Sequence, residues 1–498
     1  MTDNPNVILI YGDDLGRGML SCYGQRHFET PNIDRLAHEG MRFNHAYGCA
    51  FCAPSRASML TGLHDCHDGT WTYTQGGLYD RLSARELTLS QVTELVHTTG
   101  LQAGPDEVFF AQIAEEAGYT TGQIGKLEWG FATTGARIHR HGWQYHYGYY
   151  DHARCHGFYP PFLFEDGQVT SIRGNTHADC GVNLDWESEE NAARRANRQG
   201  KAVYSQDIFN EKIVEFHRTH RDEPFFLYHP SQLPHGPIAI PDIHPSVKQS
   251  SELTTFEKEY ASMILKLDET VGVILDEIER LGIDDRTMIV FCSDNGHEVY
   301  AKEEGRTSGR TKNLEGEPFD EITTKFYSET GGDVFNGNDG MGGLKFSSWE
   351  GGTRIPYIVR YPGRITPNRV SDYMLTNYDL MPTFTDLIGV ELPQGKDGVS
   401  FLPTLLEQPD IQQHREWVIY ASRLGPALVT TDGWKLRYIN STDSFQLYHL
   451  PHDYREEYDV SADHPDLVTR LSGWMRNACD GDYRNGTPQA HFAAYPDF

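Results

Sequence analysis

The chain has 498 residues, of which 38% are hydrophobic and 12% aromatic, and its formal net charge is −28. This length and composition allow an extensive buried core, and they predict one large domain with a smaller one. The negative charge argues against nucleic acid and anionic membrane surfaces as partners, because both would be repelled. No apolar run approaches the roughly 20 residues that a membrane-spanning helix needs.

The N-terminus and the cysteines indicate a compartment. Residues 1–5 contain no signal peptide and the first apolar run comes directly after them, so the sequence as written predicts a cytoplasmic protein. A periplasmic or secreted protein whose presequence has been removed is the alternative. The eight cysteines show no spacing typical of a disulfide framework, and Cys49-Ala50-Phe51-Cys52 lacks the second pair that a zinc site would need.

Two apolar runs predict buried strands that end in acidic residues. Val7–Tyr11 is followed by Asp13-Asp14, and Met288–Cys292 is followed by Asp294-Asn295. Ligands bind at the carboxyl ends of strands in open α/β sheets, and oxygen ligands there suit Ca²⁺ or Mg²⁺. One Asp-Asp pair alone is more often a turn or a helix cap, but two such strand ends favour a metal site.

Between these strands, Cys52-Ala53-Pro54-Ser55-Arg56 precedes a good helical run. Pro54 suits the first turn of a helix, and the free N–H groups at a helix N-terminus attract an anion. Arg56 adds a rigid set of donors, and Cys52 would stand where a nucleophile meets the bound group. A buried cysteine before an ordinary helix is the alternative.

The run from Cys52 to Gly62 resembles the signature of the type I sulfatases, members of the alkaline phosphatase-like superfamily, in which this cysteine is oxidised to formylglycine after translation. The resemblance implies an α/β fold: a large mixed β-sheet sandwiched by helices, then a smaller C-terminal α+β domain with an antiparallel sheet. We expect the catalytic domain at 1–389 and the smaller domain at 390–498. The implied metal is Ca²⁺, with Mg²⁺ possible, and its implied ligands are Asp13, Asp14, Cys52, Asp294 and Asn295.

The implied activity is hydrolysis of a sulfate monoester on a carbohydrate. By resemblance, a hydroxyl of hydrated formylglycine at residue 52 attacks sulfur, and a formylglycine-generating enzyme is a maturation partner. Arg56, Lys126 and Lys345 are expected to bind the sulfate oxygens, and His235 to donate a proton to the leaving alcohol. A solvated lysine, or a histidine that caps a turn, is the ordinary alternative for these residues.

Several positions depart from the sulfatase pattern or carry a weaker prediction. Many relatives have Gly-Lys-x-His, where the histidine helps to release sulfate, whereas Glu128 stands at that position here. We expect Glu128 to act as a base or to orient Lys126. His297 follows the Asp-Asn-Gly directly rather than two residues beyond it, so no role is assigned to it. Glu350 and Arg354 are expected to be structural.

The substrate is expected to be a small sulfated sugar bound end-on in a pocket. Residues 61–67 and 142–149, together with Tyr159-Pro160, resemble those of bacterial carbohydrate sulfatases. The aromatic stretch 145–159 contains His152, Arg154 and His156, whose rings and donors suit a sugar. An aromatic cluster in a surface loop is the alternative. Residues 298–340 lack periodicity and are predicted to form an insertion loop over the pocket. The net charge also disfavours a long polyanion, so we expect desulfation at chain ends.

Two further patterns predict elements outside the site. Apolar residues recur at helical spacing from Tyr260 to Leu281, which predicts an amphipathic helix that stops at Gly282. Trp434–Ile439 and Phe445–Tyr448 predict strands of an antiparallel C-terminal sheet.

Two other functions are compatible with the same residues. A phosphodiesterase or phosphonate hydrolase of the same superfamily shares the metal acids and can share the formylglycine. An inactive carbohydrate-binding relative is the second alternative, and Glu128 motivates it.

Overall fold

The structure is a computed structural model, and it describes residues 4–69, 76–98, 103–104, 106–176, 188–301, 316–317 and 324–487. Its strands are β1 (Asn6–Gly12), β2 (Met41–Phe43), β3 (Ala46–Tyr47), β4 (Thr120–Gly125), β5 (Tyr145–Gly148), β6 (Phe162–Glu165), β7 (Gln168–Ser171), β8 (Phe225–Pro230), β9 (Thr287–Ser293), β10 (Tyr357–Arg360), β11 (Arg369–Ser371), β12 (Leu375–Thr376), β13 (Trp417–Tyr420), β14 (Ala427–Thr430), β15 (Trp434–Ile439) and β16 (Ser444–His449). Its α-helices are α1 (Pro31–Glu39), α2 (Cys52–Thr61), α3 (Asp80–Ser83), α4 (Leu89–Thr98), α5 (Phe110–Glu116), α6 (Gly135–Arg140), α7 (Glu189–Ala196), α8 (Ser205–His220), α9 (Pro245–Lys248), α10 (Thr255–Leu281), α11 (Ser328–Gly331), α12 (Glu350–Thr353), α13 (Leu380–Ile388), α14 (Leu402–Leu405) and α15 (Pro465–Ala478).

A ten-stranded mixed sheet forms the centre of the fold, in the order β11-β2-β10-β9-β1-β8-β4-β5-β6-β7. Strands β9, β1, β8, β4 and β5 run parallel to one another. Both faces of this parallel part are covered, which explains why β1 is an unbroken apolar run. Val7 and Leu9 pack in one core with residues of α2, α5 and α13, and Ile8 and Ile10 pack in the other with α1, α8 and α10. The predicted mixed sheet between helices is confirmed.

A separate antiparallel sheet, β13-β14-β15-β16, lies near the C-terminus, where the sequence predicted it. Leu471 and Met475 of α15 pack against this sheet. The boundary at 389/390 stays a prediction. Gly389 ends α13 with a φ of 70°, whereas Phe401 and Leu405 pack in a core of the main sheet.

The long helix α10 begins and ends where local signals place it. Thr254 accepts from the backbone N–H of Glu257, whose side chain accepts from the N–H of Thr254 in return, and Gly282 ends the helix with a φ of 67°. The predicted stop at Gly282 is confirmed. None of the described helices has the length and apolar character to cross a membrane.

Only part of the predicted insertion loop can be compared with the structure, because 302–315 and 318–323 lie outside the described residues. The described part includes α11 and places Tyr300 beside Asp14, to which its hydroxyl donates a hydrogen bond. The segment that follows β9 therefore borders the acidic residues.

His67 joins two distant segments of the chain. Its Nε2 lies 3.0 Å from Oδ2 of Asp397, and its Nδ1 lies 3.2 Å from Oδ2 of Asp480. Because both ring nitrogens face carboxylates, only the doubly protonated ring donates to both. Burial lowers the pKa of His67, but the hydrogen bonds and charges of Asp397 and Asp480 outweigh burial and raise the pKa above its ordinary value.

We expect this contact to make stability depend on pH. The folded protein binds the proton of His67 more tightly than the unfolded chain, so the stabilisation is fully present below the ordinary histidine pKa of about 6.5 and is lost as pH rises through the folded pKa. Denaturant unfolding of wild type and His67→Gln should differ by about 1 kcal/mol at acidic pH and converge at alkaline pH. A difference that does not change with pH would contradict the assignment.

Candidate active site

The acidic residues predicted as metal ligands meet at one edge of the main sheet. β1 and β9 are parallel neighbours in a register that aligns their last residues, so both strands end together. The backbone N–H of Asp14 donates to Oδ1 of Asp294 at 3.0 Å, and Nδ2 of Asn295 donates to Oδ1 of Asp14 at 2.9 Å. The side chains of Asp13, Asp14, Asp294 and Asn295 are all buried.

Cys52 is the first residue of α2 and lies beside these acids. Its sulfur, a carboxylate oxygen of Asp13 and one of Asp294 all lie within 4.8 Å of one another. Gly48 permits the close approach of this segment, because a Cβ there would come within 2.1 Å of the carbonyl oxygen of Asp294. The predicted nucleophile and the predicted metal ligands therefore share one site.

Arg56 lies one helical turn beyond Cys52 and reaches the same acids. Its Nη2 donates to Oδ2 of Asp294 at 2.9 Å and lies 3.4 Å from Oδ1 of Asp13. Its Nη1 donates to the hydroxyl of Tyr228 at 3.4 Å. Burial disfavours the charged guanidinium, but the charges of these neighbours outweigh burial and raise the pKa of Arg56 well above its ordinary value.

Two buried lysines reach the acidic pair at the end of β1. Nζ of Lys126 donates to Oδ2 of Asp13, and Nζ of Lys345 donates to Oδ2 of Asp14 at 2.7 Å. Lys345 also lies 3.2 Å from Nε2 of His235. Lys126, Lys345 and His235, which stand far apart in the sequence, are therefore brought together at the strand ends.

The donor set at this edge fits a divalent cation. Burial and the charge of Asp13 raise the pKa of Asp294, as expected for carboxylates crowded without enough positive charge. Oδ1 of Asn295 is buried and has no hydrogen-bond partner among the described residues. Buried carboxylates with an unpartnered amide oxygen are ligands that Ca²⁺ and Mg²⁺ prefer, and a cation there would relieve the repulsion.

An unmodified Cys52 is poorly suited to nucleophilic attack. Burial raises the pKa of its thiol, and the opposing charges of Lys126 and Lys345 do not reverse the shift. Burial therefore disfavours the thiolate, which is the reactive form.

His235 is oriented through one ring nitrogen, and its other ring nitrogen faces the acidic edge. Its Nδ1 donates to the carbonyl oxygen of Gly236 at 2.6 Å. Its Nε2 then points to Oδ2 of Asp14 at 3.3 Å and to Lys345. These contacts fix which ring nitrogen of His235 faces the acidic edge.

His156 joins the site by stacking on His235. The two ring centroids are 3.9 Å apart and the rings are almost parallel, with an interplanar angle of 5°. A ring nitrogen of each histidine and a carboxylate oxygen of Asp13 lie within 4.8 Å of one another. Nε2 of His156 is buried and has no hydrogen-bond partner in the described part of the chain. Burial, together with the charges of His235 and Lys126, lowers the pKa of His156 well below its ordinary value.

His152 and Arg154, the other two residues predicted to contact the sugar, point to different parts of the structure. His152 packs against His156, with ring centroids 4.6 Å apart, and therefore lies at the edge of the site. Arg154 is buried, donates to Oδ1 of Asp80 at 3.1 Å and lies over the ring of Phe162. These contacts direct its guanidinium toward α3 rather than toward the histidine pair.

Glu128 is buried, and its carboxylate has three hydrogen-bond donors. Nδ1 of His141 lies 2.9 Å from Oε1, the hydroxyl of Thr133 donates to Oε1 at 3.3 Å, and Nε1 of Trp143 donates to Oε2 at 3.1 Å. Among the described residues, these three partners hold the carboxylate, and Lys126 is not one of them.

Sequence reasoning missed Tyr300 and the support for Lys345. The hydroxyl of Tyr300 donates to Asp14, and its ring lies 5.3 Å from that of His235. The carbonyl oxygen of His297 accepts from the backbone N–H of Lys345 at 2.8 Å, while Nε2 of His297 lies 2.9 Å from Oδ2 of Asp333. Tyr300 lies in a segment without periodicity. Its position shortly after β9 is the sequence feature that could have indicated its role.

Glu350 and Arg354 form an ion-pair network with the C-terminal sheet. Arg354 lies 2.7 Å from Oε2 of Glu350, and Nζ of Lys435 on β15 lies 2.9 Å from Oε1. The network ties α12 to the C-terminal sheet, which agrees with the structural role expected for both residues.

These features define a hydrolase of anionic esters: a helix N-terminus with a nucleophile position, a cation-binding edge and buried positive side chains around one point. The chain belongs to the sulfatase family, because the model of the sulfatase family matches residues 5–390. A second model, described as N-sulphoglucosamine sulphohydrolase, C-terminal, matches residues 345–473. The protein is thus a sulfuric ester hydrolase, as predicted, and its family implies a metal ion and a formylglycine.

Known proteins of similar sequence and structure agree with this family. The chain is 28% identical to the N-acetylgalactosamine-6-O-sulfatase of Bacteroides thetaiotaomicron, over 95% of this chain and 92% of the relative. Its fold resembles the crystal structure of Ps i-CgsB in complex with k-i-k-neocarrahexaose, with a TM-score of 0.70, 22% identity and coverage of 96% and 94%. It also resembles a protein in complex with its substrate D-glucosamine-2-N,6-O-disulfate, with a TM-score of 0.64, 20% identity and coverage of 96% and 99%.

Proposed function

We propose that this enzyme removes sulfate from a small sulfated sugar, acting at chain ends, through formylglycine at residue 52. The observation that carries the proposal is that the Cys52 sulfur lies within 4.8 Å of carboxylate oxygens of Asp13 and Asp294. The buried, positively charged side chains of Arg56, Lys126 and Lys345 surround this point. The relatives support a carbohydrate substrate, since one is an N-acetylgalactosamine-6-O-sulfatase and a structural neighbour binds a sulfated glucosamine.

The metal ion is proposed to be Ca²⁺, with Mg²⁺ as the alternative, held by Asp13, Asp14, Asp294 and Asn295 beside residue 52. When bound, it supplies a fixed positive charge against the sulfate oxygens. Formylglycine supplies, as its hydrate, a nucleophilic hydroxyl that a cysteine side chain lacks. A formylglycine-generating enzyme is therefore a proposed maturation partner.

The side chains around residue 52 would bind the sulfate group and move the proton. Arg56, Lys126 and Lys345 offset its negative charge in a buried site, where such contacts are strongest. His235 would deliver a proton from Nε2 to the leaving sugar oxygen, because Nδ1 is committed to the carbonyl oxygen of Gly236. Asp14, 3.3 Å from Nε2, and Lys345, 3.2 Å from it, hold this nitrogen in position.

The histidine pair is the proposed sugar contact. His156 offers an unpartnered Nε2 next to His235, and His152 extends the surface outward. Arg154 has an indirect role: its contacts with Asp80 and Phe162 hold the 3₁₀ turn that carries His156. A cytoplasmic location and the lack of nucleic-acid or membrane partners stay predictions.

Glu128 is proposed as a positioning residue rather than as a base. It fixes Trp143, whose ring stacks on Tyr228 with centroids 5.7 Å apart, and Tyr228 accepts from Arg56. The carboxylate thus acts on the sulfate site through an aromatic pair and a guanidinium.

Removing the Glu128 side chain should cost stability as well as turnover. Glu128→Ala leaves buried donors unpaired, so the free energy of unfolding should fall by about 2 kcal/mol and kcat by about tenfold. Glu128→Gln keeps one acceptor oxygen and should lose less of both. Denaturant unfolding and steady-state kinetics at several pH values check this result. Loss of a limb of the kcat–pH profile, with unchanged stability, would instead make Glu128 the proton-transfer group.

The function is tested by a desulfation screen on defined mono- and oligosaccharides, with protein in which conversion of Cys52 has been shown by mass spectrometry. The panel should include 6-O-sulfated N-acetylgalactosamine and 2-N,6-O-disulfated glucosamine, each at several chain lengths. Phosphate esters with matched leaving groups distinguish a phosphodiesterase or phosphonate hydrolase, and retained binding without turnover would identify an inactive relative.

We expect the rate per sulfate to rise as the saccharide chains are shortened. A pocket that accepts chain ends, in a protein of net charge −28, disfavours the interior of a polyanion. Equal release of internal sulfates from intact polymer would contradict action at chain ends without contradicting sulfatase activity.

A further inference from the structure

Two buried cysteines from distant parts of the chain meet beneath the C-terminal sheet. Cys66 lies in the segment after α2, and Cys479 comes directly after α15. Both side chains are fully buried and belong to the apolar cluster that β13–β16 form with α15. The Cys66 thiol donates to Oδ1 of Asp65 at 3.9 Å. The two cysteines lie side by side in this cluster, because the residues that follow them in the chain contact each other.

The backbone beside each sulfur is held in place by its own contacts. The N–H of Asp68 donates to Oδ2 of Asp480 at 2.8 Å, and Nδ1 of His67 lies 3.2 Å from the same carboxylate. Oδ1 of Asp65 accepts from the backbone N–H of Ala421 at 2.8 Å. The segments that carry Cys66 and Cys479 are therefore already ordered against each other, which reduces the entropy cost of joining them.

In the folded protein these thiols are poor reactants. Burial raises the pKa of the Cys66 thiol well above its ordinary value, and the contact with Cys479 raises it further. Thiol–disulfide exchange needs a thiolate that the oxidant can reach. Oxidation therefore belongs to folding, before the cluster closes, and a bond formed then would be shielded from reductants afterwards.

We propose that Cys66 and Cys479 form a structural disulfide when the chain folds in the presence of a low-molecular-weight disulfide oxidant. One cysteine thiolate attacks the oxidant and releases its first thiol, and the second cysteine then displaces the other half and closes the Cys66–Cys479 bond. Two protein thiols lose two protons and two electrons, and the oxidant leaves as two thiols. The bond would join the segment after α2 to the end of α15. Helix α2 is the one that carries Cys52.

The experiment uses the full chain, denatured and refolded in two arms, one with oxidised glutathione and one with dithiothreitol. Non-reducing peptide mapping of the oxidised arm should recover the Cys66 and Cys479 peptides as one species, with a mass lower by two hydrogens. Because the bond closes a long loop, the thermal midpoint of that arm should be higher by about 5 °C.

Matched variants identify the source of the shift. Cys66→Ser and Cys479→Ser should each abolish the difference between arms, whereas Cys22→Ser, which removes a partly exposed thiol outside the cluster, should keep it. Each variant is compared with itself in the two arms, so a general loss of stability does not obscure the result. Recovery of both thiols in free form from the oxidised arm, a bond from Cys66 to Cys49, or a cross-linked protein with an unchanged midpoint would overturn the proposal. None of these readouts depends on sulfatase activity.

Discussion

Cys52→Ala is expected to lower kcat by at least about 10⁴-fold while leaving the fold intact, because the variant has neither a thiol to mature nor a nucleophile. Cys52 is the first residue of α2, and alanine is a good helix former of similar size, so packing in the site changes little. Turnover by the matured wild type and the variant, at equal concentration of folded protein, measures the effect.

The matched control is Cys22→Ala, which removes a thiol outside the site and should retain wild-type activity. Mass spectrometry of the peptide that contains residue 52 gives the fraction of each preparation that has been matured. Wild-type turnover by Cys52→Ala, or by protein whose Cys52 is entirely unmodified, would contradict the proposed nucleophile.

Asp294→Ala is expected to lose the metal ion and to lower kcat by at least about 10³-fold, since it removes a carboxylate from the centre of the acidic edge. Asp294 also accepts hydrogen bonds from the backbone of Asp14 and from Arg56, so the variant loses orientation as well as charge. Elemental analysis of the purified protein, alongside kinetics, separates loss of the metal from loss of the fold.

Two further variants sharpen this test. Asp294→Asn keeps the shape and one acceptor oxygen but removes the charge, and it should bind the metal more weakly than wild type. Asp372→Ala removes an acid whose side chain is 80% exposed, and both metal content and activity should be unchanged. A fully active wild-type enzyme without any divalent ion would be incompatible with the proposal.

Some residues in these tests are indicated by local sequence patterns, whereas the role of His67 depends on partners that are distant in the chain. The strand ends and the helix N-terminus are local patterns that indicate Cys52, Asp13, Asp14, Asp294 and Asn295, and the resemblance to the sulfatases implies their roles. His67, in contrast, acquires its pH dependence only from Asp397 and Asp480, which stand far away in the chain.

The sequence alone determined the buried strands and the acidic residues at their carboxyl ends. An unbroken apolar run has to be covered on both faces, which predicts the strands, and the acids directly follow them in the chain. That β1 and β9 are parallel neighbours, which brings these acids together, is decided by the fold. The end of α10 at Gly282 was likewise predicted, whereas the helix begins before the predicted Tyr260, at a cap formed by Thr254. Each of these signals lies within a few residues of the feature that it predicts.

Only the tertiary structure decided where the side chains of the intervening segments point. Arg154 and His156 stand two residues apart, yet one pairs with Asp80 while the other stacks on His235. Glu128 comes two residues after Lys126, but its carboxylate is held by partners from other segments, including His141. The physical reason is that a side chain in an irregular segment has no periodicity to assign its direction, so its partners are chosen by packing between distant parts of the chain.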